Sequence, residues 1–142
     1  MGSLIRHITV DCRDHYALMQ FWREALQDYH DHPDDPNKPE DEQSGLVGPP
    51  GSPWLLFVPV PEDKSVKNRL HLDIAPLDRT RDEEVDRLVT LGAQVVGDHR
   101  RPNGSGWVVM TDPEGNEFCV ERSDAEIAAS RSSPEPTADA TE

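Results

Sequence analysis

The chain has 142 residues, the size of one ordinary domain able to bury a single core without staples. Its 28 acidic and 14 basic side chains give a formal charge of −14, a field that argues against nucleic acid and anionic membrane surfaces as partners. Two cysteines, neither in a Cys-x-x-Cys pair, are too few for a disulfide scaffold, and no apolar run approaches a membrane span or a secretory leader, so the expectation is a soluble cytoplasmic protein.

Leu4 to Cys12 has strand chemistry, with Ile8 and Val10 on one face and His7, Thr9 and Asp11 on the other. Asp14 is placed to cap a following helix in which Ala17, Leu18, Phe21, Trp22, Ala25 and Leu26 recur at three- and four-residue spacing. Tyr29 to Pro53 is acidic and rich in proline and glycine, which predicts short edge strands joined by a mobile loop; residues 31 to 42 alone hold six acids and one lysine. Trp54 to Val60, an apolar run closed by prolines, reads as a strand, and Pro61 to Asn68 as a linker.

The second half repeats this order. A strand is expected over Arg69 to Ala75, followed by a capping box between Thr80 and Glu83. Val85, Leu88 and Val89 make the buried stripe of the helix, and Gly92 stands where a left-handed cap belongs. Strands follow at Ala93 to Gly97, Trp107 to Thr111 and Asn116 to Arg122, with the turn Asp112-Pro113-Glu114-Gly115 between the last two. An offset of 64 residues superposes His7 on His71, Asp14 on Asp78, Phe21 on Val85 and Ala25 on Val89. Coincidence of histidines, cap and core positions indicates duplication: two βαβββ modules, about 1–61 and 68–123, within one domain spanning 1–123. Residues 124–142 lack the apolar density that offsets ordering entropy and read as a disordered acidic tail, with a marginal helix over Asp124 to Ala129.

Alternation along strands selects the polar faces. His7, Thr9 and Asp11 share one, Arg69, His71 and Asp73 another, and Glu117, Cys119 and Glu121 a third, while Phe118 and Val120 point toward a helix. If the copies pair, the imidazoles of His7 and His71 meet across a shared cleft. Asp11 and Asp73 fit either acid–base chemistry or a pairing with Arg69. Trp54 and Trp107 fit either a pocket wall or the core, whereas Trp22 and Cys12 belong to the buried helix side. His15, His30, His32 and His99 fall near loops and caps.

Four segments resemble, in order and spacing, the glyoxalase-like branch of the vicinal oxygen chelate superfamily. They are Ile8-Thr9-Val10-Asp11-Cys12-Arg13-Asp14, Phe21-Trp22, Asn68-Arg69-Leu70-His71-Leu72-Asp73, and Asp112-Pro113-Glu114-Gly115-Asn116-Glu117-Phe118-Cys119-Val120. The resemblance implies an α+β fold of two tandem βαβββ modules forming a curved mixed sheet around a cleft, as in glyoxalase and bleomycin-resistance proteins, with a small-molecule ligand and homodimerisation. The superfamily includes glyoxalases, extradiol dioxygenases, epimerases, thiol transferases that destroy fosfomycin, and metal-free drug-binding proteins, and fold does not choose among them.

In metal-dependent relatives, His or Glu from the first and last strands of each module hold a divalent ion. Here the first-strand positions match as His7 and His71, while the last-strand positions depart from the pattern, falling on Cys119 and on Leu56 or Val58. Two readings stay open. One is a lyase, isomerase or oxygenase that acts on a small oxygenated metabolite through Zn, Ni, Fe or Mn. In it His7, His71 and Cys119, or Glu121 in place of Cys119, bind the metal, Glu121 and Asp73 are the catalytic residues, and Asp11, Trp54, Leu56, Val58 and Trp107 line the substrate pocket. The other is a metal-free dimer of the bleomycin-resistance type that binds a ligand or drug without a cofactor.

Overall fold

The computed structural model describes residues 1–132, and the chain divides into two compact units, Met1–Val66 and a second beginning at Lys67. In the first unit β1 (His7–Cys12) leads into α1 (His15–Ala25), followed by β2 (Ser44–Leu46) and β3 (Trp54–Pro59). Asp14 begins α1 as expected: its backbone is extended and its carboxylate accepts the Ala17 N–H at 3.1 Å, satisfying one of the helix's orphan donors. The sheet order is β1-β3-β2, with β1 parallel and β2 antiparallel to β3, and His7 in register with Trp54. Leu46, Leu55 and Phe57 form the buried core of this unit with Leu18, Met19, Phe21, Trp22 and Ala25 of α1.

The first module's fourth strand is reduced to one antiparallel bridge between His30 and Val47. The acidic segment before β2 is tied down rather than left loose. Asn37 brackets Gly45, donating to its carbonyl at 2.8 Å and accepting its N–H at 2.9 Å, and Arg23 holds Asp31 at 3.0 Å. His15, expected near a cap, is buried at 8% exposure because its ring meets Ser44 Oγ at 2.6 Å. Ala17 faces solvent instead.

The second unit contains β4 (Asp73–Ile74), α2 (Arg81–Leu91), β5 (Gln94–Asp98), β6 (Val108–Thr111), β7 (Glu117–Val120) and α3 (Asp124–Ser132). Its order, β4-β7-β6-β5, with β4 and β7 parallel and the other pairs antiparallel, is a complete βαβββ module. The Thr80–Glu83 capping box is formed in both directions, and Gly92 ends α2 at φ 117°. The Asp112 carboxylate accepts the N–H groups of Glu114 and Asn116, closing the turn into β7, and Gly115 takes φ 89°.

Three elements differ from expectation. The strand foreseen over Arg69 to Ala75 shrinks to two residues; Leu70 is 89% exposed, and the segment before Asp73 is tied to the start of β7 by the Glu117 carboxylate, which accepts the Asn68 N–H, rather than by strand pairing. On α2 the buried stripe is Arg81, Glu84, Val85 and Leu88, leaving Val89 48% exposed. The marginal helix anticipated over Asp124 to Ala129 runs further, to Ser132, because Ser123 and Glu126 form a reciprocal cap: Ser123 Oγ accepts the Glu126 N–H at 3.1 Å, and Glu126 Oε2 accepts the Ser123 N–H at 2.9 Å. The rest of that tail lies outside the described residues. Among the described residues no helix is long and apolar enough to cross a membrane.

Candidate functional site

Parallel pairing of β1 with β3 places His7 beside Trp54, Thr9 beside Leu56 and Asp11 beside Val58. Leu55 and Phe57 point into the core, so the alternate residues Trp54, Leu56 and Val58 share the opposite face, where Trp54 is 38% exposed. The His7 and His32 rings each lie 5.9 Å from the Trp54 ring. The first unit therefore carries a half-exposed aromatic and aliphatic surface holding the predicted His7, Asp11, Trp54, Leu56 and Val58.

The second unit carries a cleft of about 630 Å³ whose wall includes His71, Asp73, Trp107, Cys119 and Glu121, all foreseen as site residues. Parity on β7 produces this: Phe118 and Val120 are buried, and Glu117, Cys119 and Glu121 fall on the cleft side. Lys67, Val109, Arg122 and Ile127 also line it and were missed. The alternation of Trp107 and Val109 with the buried Val108 and Met110 could have revealed Val109, and the Ser-x-x-Glu spacing at Ser123 could have revealed the helix bearing Ile127. No motif points to Lys67 or Arg122.

His71, Asp73 and Cys119 each offer one ligand atom, all within 4.8 Å of one another, the sole such trio of metal-ligating side chains among the described residues. The Asp73 carboxylate sits 3.1 Å from His71 Nδ1. Parallel pairing of Asp73 with Cys119 brings thiol and carboxylate together across β4 and β7. Burial pushes the Cys119 thiol above its ordinary pKa; the charge of Asp73, the hydrogen bond the thiol donates to it, and the charge of Glu121 push the same way, against a smaller opposing pull from Lys67. Cys119 is thus held as a protonated donor, a poor nucleophile until something withdraws its proton.

The trio fits a divalent ion in kind and approximately in spacing. Bonds of about 2.0–2.3 Å in tetrahedral geometry separate donor atoms by roughly 3.3–3.8 Å, so a modest contraction suffices. Imidazole, carboxylate and thiolate together suit zinc and other borderline first-row ions. Nearby, Trp107 gives the cleft an aromatic surface, stacked on His99 at 4.9 Å and approached by the Arg101 guanidinium at 5.8 Å.

A family model described as a glyoxalase-like domain matches residues 7–121. No curated protein matches the chain. Among solved structures, the fold is similar to a glyoxalase/bleomycin resistance protein/dioxygenase family enzyme from Burkholderia phytofirmans PsJN, at TM-score 0.63 and 17% identity over 85% of this chain and 98% of that one. A mutant of the fosfomycin resistance protein FosX from Listeria monocytogenes, complexed with Mn(II) and 1S,2S-dihydroxypropylphosphonic acid, matches at TM-score 0.62 and 16% identity over 93% of this chain and 98% of that one. Lactoylglutathione lyase from Agrobacterium tumefaciens matches at TM-score 0.53 and 21% identity, over 87% and 95% respectively. At these identities the likeness is one of fold.

Proposed function

Because the chain belongs to the glyoxalase-like domain family, we propose that it binds a small oxygenated molecule in the cleft of its second unit, beside a divalent ion held by His71, Asp73 and Cys119. The observation that carries this is the convergence of an imidazole, a carboxylate and a thiol on one wall of a cleft roomy enough for a metabolite. When bound, the ion would supply Lewis-acid polarisation of a ligand oxygen. The chain's own groups supply the rest. Glu121, two residues beyond Cys119 on the same face, has no ion-pair partner among the described residues and is the candidate proton acceptor; Asp73 orients the His71 ring. Trp107, Val109 and Ile127 receive the apolar part of the ligand.

Mn(II), present with the FosX variant, joins Zn(II), Ni(II) and Fe(II) as an ion to test. Elemental analysis of protein purified without chelator should find one ion per chain, lost in His71→Ala and Cys119→Ala; folded protein that takes up none of these ions would refute the metal reading. The His7→Ala variant tests the sequence-based assignment of that imidazole to the ligand set. Homodimerisation, expected from the family resemblance, is read by sedimentation.

A second reading, a metal-free ligand- or drug-binding protein, is favoured by the 3.1 Å contact between His71 Nδ1 and the Asp73 carboxylate, which pairs two members of the trio with each other without an ion. It predicts ligand-induced thermal stabilisation that EDTA leaves unchanged.

A further inference from the structure

Glu126 and Ile127 are adjacent on α3 but have different surroundings. Ile127 lines the cleft with Trp107 and Val109, the apolar members of a wall otherwise rich in charge. Glu126 is not part of that lining. Its Oε2 accepts the Arg81 N–H at 2.7 Å, the Ser123 N–H at 2.9 Å and the Ser123 hydroxyl at 3.1 Å. Arg81 is the first residue of α2, so its N–H is one of that helix's orphan donors and the carboxylate sits at the favourable end of the helix dipole. One carboxylate thereby caps α3 and ties it to the start of α2. Nine residues make a helix too short to persist alone in water, so the placement of α3 depends on such ties.

We infer that Ile127 determines how apolar a ligand the cleft accepts, and that Glu126 is the positioning residue that keeps it there. This rests on the cleft being the ligand site. The ligand class that follows carries an apolar segment, set against Trp107, Val109 and Ile127, next to an oxygenated or charged end among Lys67, His71, Asp73 and Arg122. Removing the Glu126 carboxylate frees α3 at its first turn, and the Ile127 contribution to the wall goes with it.

Cys119 reports on the cleft from inside, while Cys12 is buried and is replaced by Ala to remove background. The thiol is labelled at alkaline pH with iodoacetamide, small and polar, and in parallel with N-phenylmaleimide, which is apolar. Both reactions consume thiolate, so the ratio of their rates cancels any change in the Cys119 pKa and reads the cleft wall alone. Ile127→Ala should lower the maleimide-to-iodoacetamide ratio about three- to fivefold, a modest factor because Ile127 is only half-buried. Glu126→Ala should lower it at least as much, whereas Glu126→Gln, which keeps an acceptor oxygen, should retain the parent ratio. Should Glu126→Ala unfold, seen as urea-like rates for both reagents, Ile127→Ala and Glu126→Gln still decide. An unmoved ratio in Ile127→Ala overturns the specificity role, and an unmoved ratio in folded Glu126→Ala overturns the positioning role. Protection of Cys119 by Zn(II), measured on the same samples, tests the metal reading separately, so the two can fail independently.

Discussion

Replacing Arg81 by Met removes a polar head while leaving most of the aliphatic volume in place. Arg81 is 5% exposed, and its Nη1 donates to the carbonyls of Gly104, Ser105 and Gly106 at 3.1, 3.0 and 3.0 Å. One nitrogen carries two protons, so three carbonyls share two bonds' worth of interaction. A hydrogen bond to a charged group contributes about 1.5–3 kcal/mol net; the lower end applies because the variant recovers the cost of burying a guanidinium. The pair with Asp82, 60% exposed on the acidic side, adds little. The expected loss is therefore about 3 kcal/mol, near 10 °C in melting temperature for a chain of this size. Urea unfolding followed by circular dichroism gives the number directly. A loss below about 1 kcal/mol, or a gain, would mean that the loop reorganises to water without the guanidinium and that the clasp carries no stability.

Two further variants test the second unit. Asp73→Asn should move the pH midpoint of Cys119 alkylation downward, since it deletes a charge that favours the thiol form; burial, the larger cause, remains, so the midpoint should stay above the ordinary thiol value. The sign for stability is fixed by the raised pKa: the contribution of this thiol is intact below the unfolded-state pKa and is lost as the pH rises through the folded-state one, so the variant should lose less stability than the parent between pH 8 and 10 on chemical denaturation. Gly106→Ala should cost about 3 kcal/mol or more on thermal melting, because φ is +93° and a Cβ there would collide with the His99 carbonyl and crowd Arg100. A melting temperature unchanged in that variant would show that the loop shifts freely.

What the sequence revealed, it revealed through local rules. The Asp14 cap, the Thr80–Glu83 box, the Gly92 terminator and the Asp112 turn each need only neighbours within four residues, and all are formed. Strand parity on β7 needs nothing more than alternation, and it correctly sent Cys119 and Glu121 to the cleft side. The misread features depend on distant partners. Arg81 and Glu84 occupy stripe positions of α2 because Gly104–Gly106 carbonyls and Arg87 satisfy them, so a rule that seeks apolar residues at those positions was drawn to Val89. His15 is buried because Ser44, 29 residues away, is there to meet it. β4 keeps only the two residues that pair with Cys119 and Val120, a limit that its own alternation does not show. That Asp73 stands within reach of both His71 and Cys119 was not legible, because the sequence does not say that two parallel strands lie side by side.

The Arg81 clasp grips main-chain oxygens, which every amino acid possesses. Residue 105 can therefore change identity without withdrawing its carbonyl, while positions 104 and 106 are confined to glycine by backbone angles of +92° and +93°. A rim segment anchored this way holds its shape and has little freedom to diversify, so descendants of this chain would acquire new ligand preferences at other wall positions, such as Lys67, Val109 and Ile127.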